Sequence, residues 1–195
     1  MPLFSVIIPT FNRRGMLLNA IESVLSQDFT DYELIIIDDG STDGTDSIEK
    51  NYRGKLRYIQ QPNGGVSSAR NRGILAASSP WIALLDSDDT WNSLKLRKDF
   101  EFIRSNPSII IHQSEDIWIR NGRRVNPGKK HIKKEGDIFR ESLQLCMISP
   151  SSVVFSHELI EKYGLFDEEL PACEDYELWL RITPFEYIGL LKEKL

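Results

Sequence analysis

Twice in this chain a short apolar run ends abruptly in carboxylates. Leu34–Ile37 empties into Asp38-Asp39-Gly40-Ser41, and Trp81-Ile82-Ala83-Leu84-Leu85 empties into Asp86-Ser87-Asp88-Asp89. Neither run alternates apolar with polar residues, which is the pattern of a strand covered on both faces. A sheet of such strands must be clothed by helices on both sides, and that narrows the fold to an α/β class. The stretches between them agree. Phe4–Pro9 is a β-branched strand closed by a proline, and Leu17, Ile21, Val24 and Leu25 recur at helical spacing between Arg14 and Ser26. A helix over Thr42–Tyr52, with Thr42 or Asp43 as its cap, precedes a third strand at Leu56–Gln60. The turn Asn63-Gly64-Gly65 opens a helix over Val66–Ala77, and Leu94–Ile103 forms another that stops at Asn106-Pro107. This order, strand then helix four times over, predicts a mainly parallel sheet.

Beyond residue 106 the rhythm breaks into a mixed half. Strands are expected at Ile109–His112 and Asp116–Ile119, with Asn121-Gly122 as a hairpin turn into Arg123–Val125. A helix over Asp137–Leu145, a strand at Ser152–Phe155 and a helix at Glu158–Tyr163 closed by Gly164 follow. Glu174–Ile182 reads as a helix with Leu178 and Trp179 facing inward, and Tyr187–Leu191 as a last short strand.

In open parallel sheets ligands bind outside the carboxyl ends of the strands. Three strand ends here are polar: Thr10-Phe11-Asn12, Asp38-Asp39 and Asp86-Ser87-Asp88. They are expected to share one crevice. The carboxylates of Asp86–Asp89 repel one another and suit a shared hard cation, Mg²⁺ or Mn²⁺, although aspartates at a strand end also cap following helices. Other site patterns are absent: no G-x-G-x-x-G follows a strand, and there is no G-x-x-x-x-G-K-[ST] or G-x-S-x-G. Asp39–Gly44 faintly resembles an EF-hand loop, but its twelfth position is Lys50. His112 and His157 lack partners at ligand spacing and read as ordinary core or surface residues.

The residues at those strand ends also form a pattern together. Ser5-Val6-Ile7-Ile8-Pro9-Thr10-Phe11-Asn12, Asp38–Thr45, Asn63–Gly73 and Leu85-Asp86-Ser87-Asp88-Asp89 resemble, in order and spacing, the family 2 glycosyltransferases. Glu174-Asp175 ahead of Leu178-Trp179-Leu180-Arg181 is similar to that family's later acidic motif. The resemblance implies a GT-A fold, with a Rossmann-like central sheet, a nucleotide-diphosphate sugar donor, a divalent metal and inversion at the anomeric carbon. It implies that Pro9, Thr10 and Phe11 line the nucleotide pocket, that Asp39 accepts a hydrogen bond from the base, and that Arg70 reaches the base or a phosphate. Asp86 and Ser87 would approach the ribose, Asp88 would hold Mn²⁺ or Mg²⁺ on the diphosphate, and Asp175 would be the general base. One domain over 1–195 is expected, with residues 1–105 as the nucleotide-sugar half and 106–195 as the acceptor-side half. The end at Leu195 leaves open a complete minimal enzyme or the core of a longer one.

Charge and composition limit the partners. The net charge of −5 argues against nucleic acid, and no apolar run approaches the roughly 18 residues of a membrane span. With Cys146 and Cys173 at no redox or ligand spacing, a cytoplasmic location is expected, with peripheral contact at the inner face of the membrane left open. The acceptor is expected to be a saccharide or lipid-linked. Arg123, Arg124, Lys129, Lys130, Lys133 and Lys134 form either a solvated loop, or a mobile basic flap over the donor diphosphate or a contact with an anionic lipid-linked acceptor. Two rivals remain from other classes: a non-catalytic sugar-nucleotide-binding or interaction domain, and a nucleotidyltransferase. The latter needs a glycine-rich phosphate loop where Thr10-Phe11-Asn12-Arg13-Arg14 stands.

Overall fold

The structure, a computed structural model, describes all 195 residues. Its elements are β1 (Phe4–Thr10), α1 (Arg14–Leu25), β2 (Tyr32–Asp38), α2 (Ser47–Asn51), β3 (Arg57–Gln60), α3 (Gly65–Ala76), β4 (Trp81–Leu84) and α4 (Lys95–Ser105). Then come β5 (Ile111–Glu115), β6 (Trp118–Arg120), β7 (Arg123–Val125), α5 (Phe139–Ser142), β8 (Val153–Ser156), α6 (His157–Tyr163), α7 (Glu174–Ile182) and β9 (Gly189–Lys194). Seven strands make one sheet in the order β3-β2-β1-β4-β8-β5-β9, while β6 and β7 form a separate hairpin. Only β8 runs against its neighbours, β4 and β5; all other pairs in the sheet are parallel. The mainly parallel α/β sheet expected from the sequence is therefore the fold observed.

The unalternated strands have a simple origin. Along β1, Phe4, Val6 and Ile8 enter one core while Ile7 enters the other, and along β2 Leu34 and Ile36 oppose Ile35 and Ile37. The first core receives Leu17, Ile21 and Val24 of α1 with Leu96 of α4; the second receives Ile74 of α3 with Leu178 and Trp179 of α7. Both faces need apolar side chains, so the runs Val6–Ile8 and Leu34–Ile37 are apolar at every position.

The contact of α3 with the sheet is the tightest of these. A Cβ on Gly73 would lie 2.3 Å from Ile7 Cγ2 and 3.3 Å from Ile37 Cγ1. Gly73→Ala is thus expected to destabilise the chain by about 1–3 kcal/mol through overpacking. Urea denaturation reads this as a lower midpoint at unchanged slope; an unchanged midpoint would mean that α3 lifts away at no cost.

Two expected helices are shorter than their spacing suggests. The stretch over 42–52 is helical only at Ser47–Asn51, and neither Thr42 nor Asp43 caps it. Asp43 instead accepts the Arg14 backbone N–H (2.9 Å) with one oxygen and the Thr45 hydroxyl with the other. Short polar side chains that bond nearby backbone groups compete with a helix in this way. The stretch over 137–145 is helical only at Phe139–Ser142.

His112 lies in the core, but with partners. Lys95 Nζ sits 2.7 Å from Asp99 Oδ2, His112 Nε2 sits 3.0 Å from Asp99 Oδ1, and all three side chains are fully buried. Burial holds the imidazole pKa down against the pull of Asp99. Burial alone would lift the Asp99 carboxyl, but Lys95 and His112 hold it below the usual carboxylate range.

Candidate active site

The parallel strands bring their carboxyl ends to one rim. Thr10 pairs in register with Asp38, and the Asp39 N–H donates to the Thr10 carbonyl (2.9 Å). The loops behind them are stitched together: Asn12 N–H donates to Ser41 Oγ (2.9 Å), and Thr42 N–H donates to Asn12 Oδ1 (2.8 Å). Asn12 holds a left-handed φ of 51°, which Asn tolerates better than most residues.

Between these loops and the end of β4 lies a cleft of about 550 Å³. Its lining includes all of Pro9, Thr10, Phe11, Asp39, Arg70, Asp86, Ser87 and Asp88, the eight residues expected to meet nucleotide or metal. Arg13, Asn63, Gly65, Val66 and Ala69 also line it. Arg13 joins the site without a sequence motif to mark it; its signal is a cation in the first loop of a crevice whose other strand ends carry carboxylates, and it pairs with Asp88. Phe11 stands 46% exposed at the mouth, and the buried Thr10 hydroxyl has no partner.

The two aspartates at the end of β2 are not equivalent. Asp38 is fully buried; it accepts Ser41 N–H (2.9 Å) and the Tyr58 hydroxyl, and so is structural. Asp39 accepts Gln61 Nε2 (2.8 Å), Gly64 N–H (2.9 Å) and Gly65 N–H (2.9 Å). A carboxylate offers about four acceptor positions, so about one remains. Gly65 takes φ +88°, which favours glycine in the turn that Asp39 grips.

Arg70 is the hub. Its side chain is 4% exposed, and its guanidinium spans Asp86 Oδ1 (2.7 Å) and Glu174 Oε1 (2.6 Å) over the ring of Phe166. Its Nε is buried without a partner. The next residue, Asn71, donates to the Phe166 carbonyl (2.9 Å) and Glu168 (2.8 Å) and accepts the Phe166 N–H (3.0 Å). Consecutive residues of α3 therefore hold the segment leading into α7 against the rim. Cys173, just before α7, holds a left-handed φ of 64°, a conformation costly for a residue with a side chain.

Asp175 does not line the cleft, but it stands beside the hub on the first turn of α7. Its oxygens accept the Tyr176 N–H (2.8 Å) and the Cys146 thiol (3.7 Å). Burial lifts its carboxyl above the ordinary value, the charges of Glu174 and Asp86 add to that, and Arg70 opposes it. Burial, with Asp175 nearby, pushes the Cys146 thiol up to about 12.

Asp88 is open, its side chain 46% exposed and paired with Arg13 Nη1 at 2.8 Å. No three His, Cys, Asp or Glu side chains converge to form a metal cage. What the rim offers is one or two carboxylates beside open space, which fits a hard divalent ion that completes its shell with waters and a ligand's phosphates.

The sequence profile of the family described as Glycosyl transferase family 2 matches residues 5–164. A candidate teichuronic acid biosynthesis glycosyltransferase of Bacillus subtilis, TuaG, is 41% identical over 187 residues, covering 93% of this chain and 72% of that protein. An uncharacterised glycosyltransferase of Rickettsia felis is 35% identical over 98% of this chain and 32% of its own length. Among solved structures, S. aureus TarS 1-349 in complex with UDP-GlcNAc superposes with a TM-score of 0.81 at 26% identity, over 98% of this chain and 56% of that one. Against five of the curated relatives it matches, the chain spans between 28% and 64% of their length.

Proposed function

The chain belongs to glycosyl transferase family 2, and on that premise we propose that it moves a sugar from a UDP-sugar to an acceptor hydroxyl with inversion at the anomeric carbon. The observation that carries this reading is the convergence of three strand ends, and all eight residues expected there, on one cleft. A relative crystallised with UDP-GlcNAc supports the choice of UDP, and one named for teichuronic acid synthesis supports a role in cell-surface polysaccharide synthesis. No helix is long and apolar enough to cross a membrane.

The division of labour follows from the positions. Phe11 at the mouth packs on the base, and the remaining acceptor position of Asp39 takes the uracil imide. Asp86 and Ser87 meet the ribose. Arg70 lines the cleft and lends its charge to the base or a phosphate of the donor while both its Nη atoms hold carboxylates. Asp88 would hold Mn²⁺ or Mg²⁺, which would supply Lewis-acid stabilisation of the charge on the departing diphosphate. Arg13, which pairs with Asp88 at 2.8 Å, would be free for a phosphate oxygen once that carboxylate is taken up. Asp175 takes the proton of the attacking hydroxyl as the new bond forms, and Arg70 orients it by holding Glu174.

Titration of UDP in Mn²⁺ and then in EDTA tests the donor site. UDP should bind in Mn²⁺ and at least about tenfold more weakly in EDTA, and Asp88→Ala should show the weaker value in both. Equal binding of UDP with and without the metal would remove Asp88 from its role. Absence of nucleotide binding altogether would favour the interaction-domain alternative.

A further inference from the structure

A second cleft, of about 780 Å³, lies further along the same rim, where β4, β5 and β9 end and β8 begins. The short loop after β4 separates the two: Asp88 lines the first, Asp89 the second. The outer wall of the second is the β6–β7 hairpin and the turn after it, and Trp118, Arg120, Lys130 and His131 line it. Asn121 and Gly122 at the hairpin tip have φ of 51° and 70°, as its Asn-Gly sequence requires.

This wall has an unusual charge. From Ile117 to Lys134 there is no acidic residue and there are seven of the 24 lysines and arginines, in a chain whose net charge is −5. Two of the seven are spent on structure. Lys133 is 9% exposed and bonds Asp116 (2.8 Å), the Ser114 carbonyl (2.9 Å) and Ser152 Oγ (2.6 Å), and Lys134 pairs with Glu141 (2.7 Å). The flap drawn from the sequence is therefore an anchored wall at that end. Arg120, Arg123, Arg124, Lys129 and Lys130 pair with no carboxylate.

Trp118 is set among those cations. Its indole N–H donates to Asp116 Oδ1 (3.0 Å), the carboxylate that Lys133 neutralises, and its ring packs on His131 at 4.9 Å with 39% of the residue exposed. A fixed aromatic face in a cleft also lined by Ser149, Ser151 and Asn126 suits a sugar ring, whose C–H face packs on the indole while its hydroxyls bond those polar side chains. Of the five unpaired cations, Arg120 and Lys130 line the cleft, alongside Asp89 and the Asp116 that Lys133 neutralises, and these two cations attract acidic groups on the same molecule.

We infer that this second cleft holds the acceptor, and that the acceptor is an anionic glycan, a saccharide chain bearing carboxylate or phosphate groups. The inference rests on the transferase reading. A concave, polar lining favours a glycan over a lipid surface, which basic residues meet from an open face rather than from within a cleft.

The test is titration of the full chain with short oligogalacturonides, with phosphorylated dextran fragments, and with neutral dextran fragments of the same length; UDP is titrated in parallel. At least one of the two anionic glycans should bind roughly tenfold more tightly than the neutral one, and added salt should erode that difference. Arg120→Ser with Lys130→Ser, and separately Trp118→Ala, should each weaken the anionic glycan by roughly tenfold with UDP affinity unchanged. Arg120 and Lys130 are exposed, so the double variant keeps its fold, and the melting temperature of Trp118→Ala is measured beside its affinity because that ring also packs on His131. Equal binding of neutral and anionic glycans, or no effect of either variant, overturns the inference. So does binding to phosphatidylglycerol vesicles that the double variant abolishes while neither anionic glycan binds. Loss of UDP binding by the unaltered chain would instead overturn the transferase reading.

Discussion

Replacing Asp175 by Asn should lower the rate of sugar transfer by about 10²–10⁴-fold and leave UDP affinity unchanged. Asn keeps the shape and the hydrogen bond from Tyr176, but it cannot take a proton from the acceptor hydroxyl. The surroundings of Asp175 suit the role. Burial raises its carboxyl, and the neighbouring Glu174 and Asp86 raise it further, so the carboxylate is a stronger base than a solvated one. The sign of the pH dependence follows. A base must be ionised, so activity is lost as the pH falls through this raised value, and the acid limb of kcat/KM should lie above the ordinary aspartate value. The Asn variant should lack that limb in its residual activity. Stability should move the other way. A carboxyl raised in the folded state contributes stability at low pH that is lost as the pH rises through its folded value, so at neutral pH the ionised group costs the fold something. Asp175→Asn should accordingly melt no lower than the parent. A rate loss matched by an equal loss of UDP affinity would move Asp175 to the donor side.

That much of the site was legible because a parallel sheet converts local sequence into shared position. Once Val6–Ile8, Leu34–Ile37 and Trp81–Leu85 are read as strands of one direction, the residues after them must meet at one rim, whatever the loops do. The contacts that set roles within the rim were not legible, because they join residues far apart in sequence. Nothing near Asp38 and Asp39 says which one Tyr58 will occupy and which will grip the Gly64-Gly65 turn. His112 looked solitary because its partner Asp99 comes from α4, whose residues match a surface-helix pattern until Lys95 and Asp99 prove fully buried. Lys133 looked like its neighbours in a basic run, yet it alone turns inward to Ser114, Ser152 and Asp116. Charge type is visible in a sequence; charge pairing across the fold is not.

Arg70 is where this distinction can be measured. Arg70→Ala should destabilise the chain by about 3–5 kcal/mol, because it leaves two partly buried carboxylates, Asp86 and Glu174, facing each other without a cation. At roughly 2–4 °C per kcal/mol for a chain of this size, the melting temperature should fall by about 10 °C. Arg70→Lys should recover only part of it, since an ammonium cannot span both carboxylates as the planar guanidinium does. Adding Glu174→Gln to Arg70→Ala should restore some stability by removing one of the two stranded charges, a coupling of about 0.5–3 kcal/mol in a double-mutant cycle. It should not restore transfer, because α7 would still be untied from the end of β4 and Asp175 would no longer be held toward the donor. The kinetics then separate two roles for the same residue. If Arg70 acts by holding the start of α7, its loss should lower turnover of bound donor far more than it lowers UDP affinity. If it acts as a ligand of the base or a phosphate, UDP affinity should collapse while turnover at saturating donor stays near the parent value, and the clamp seen between Asp86 and Glu174 would be secondary.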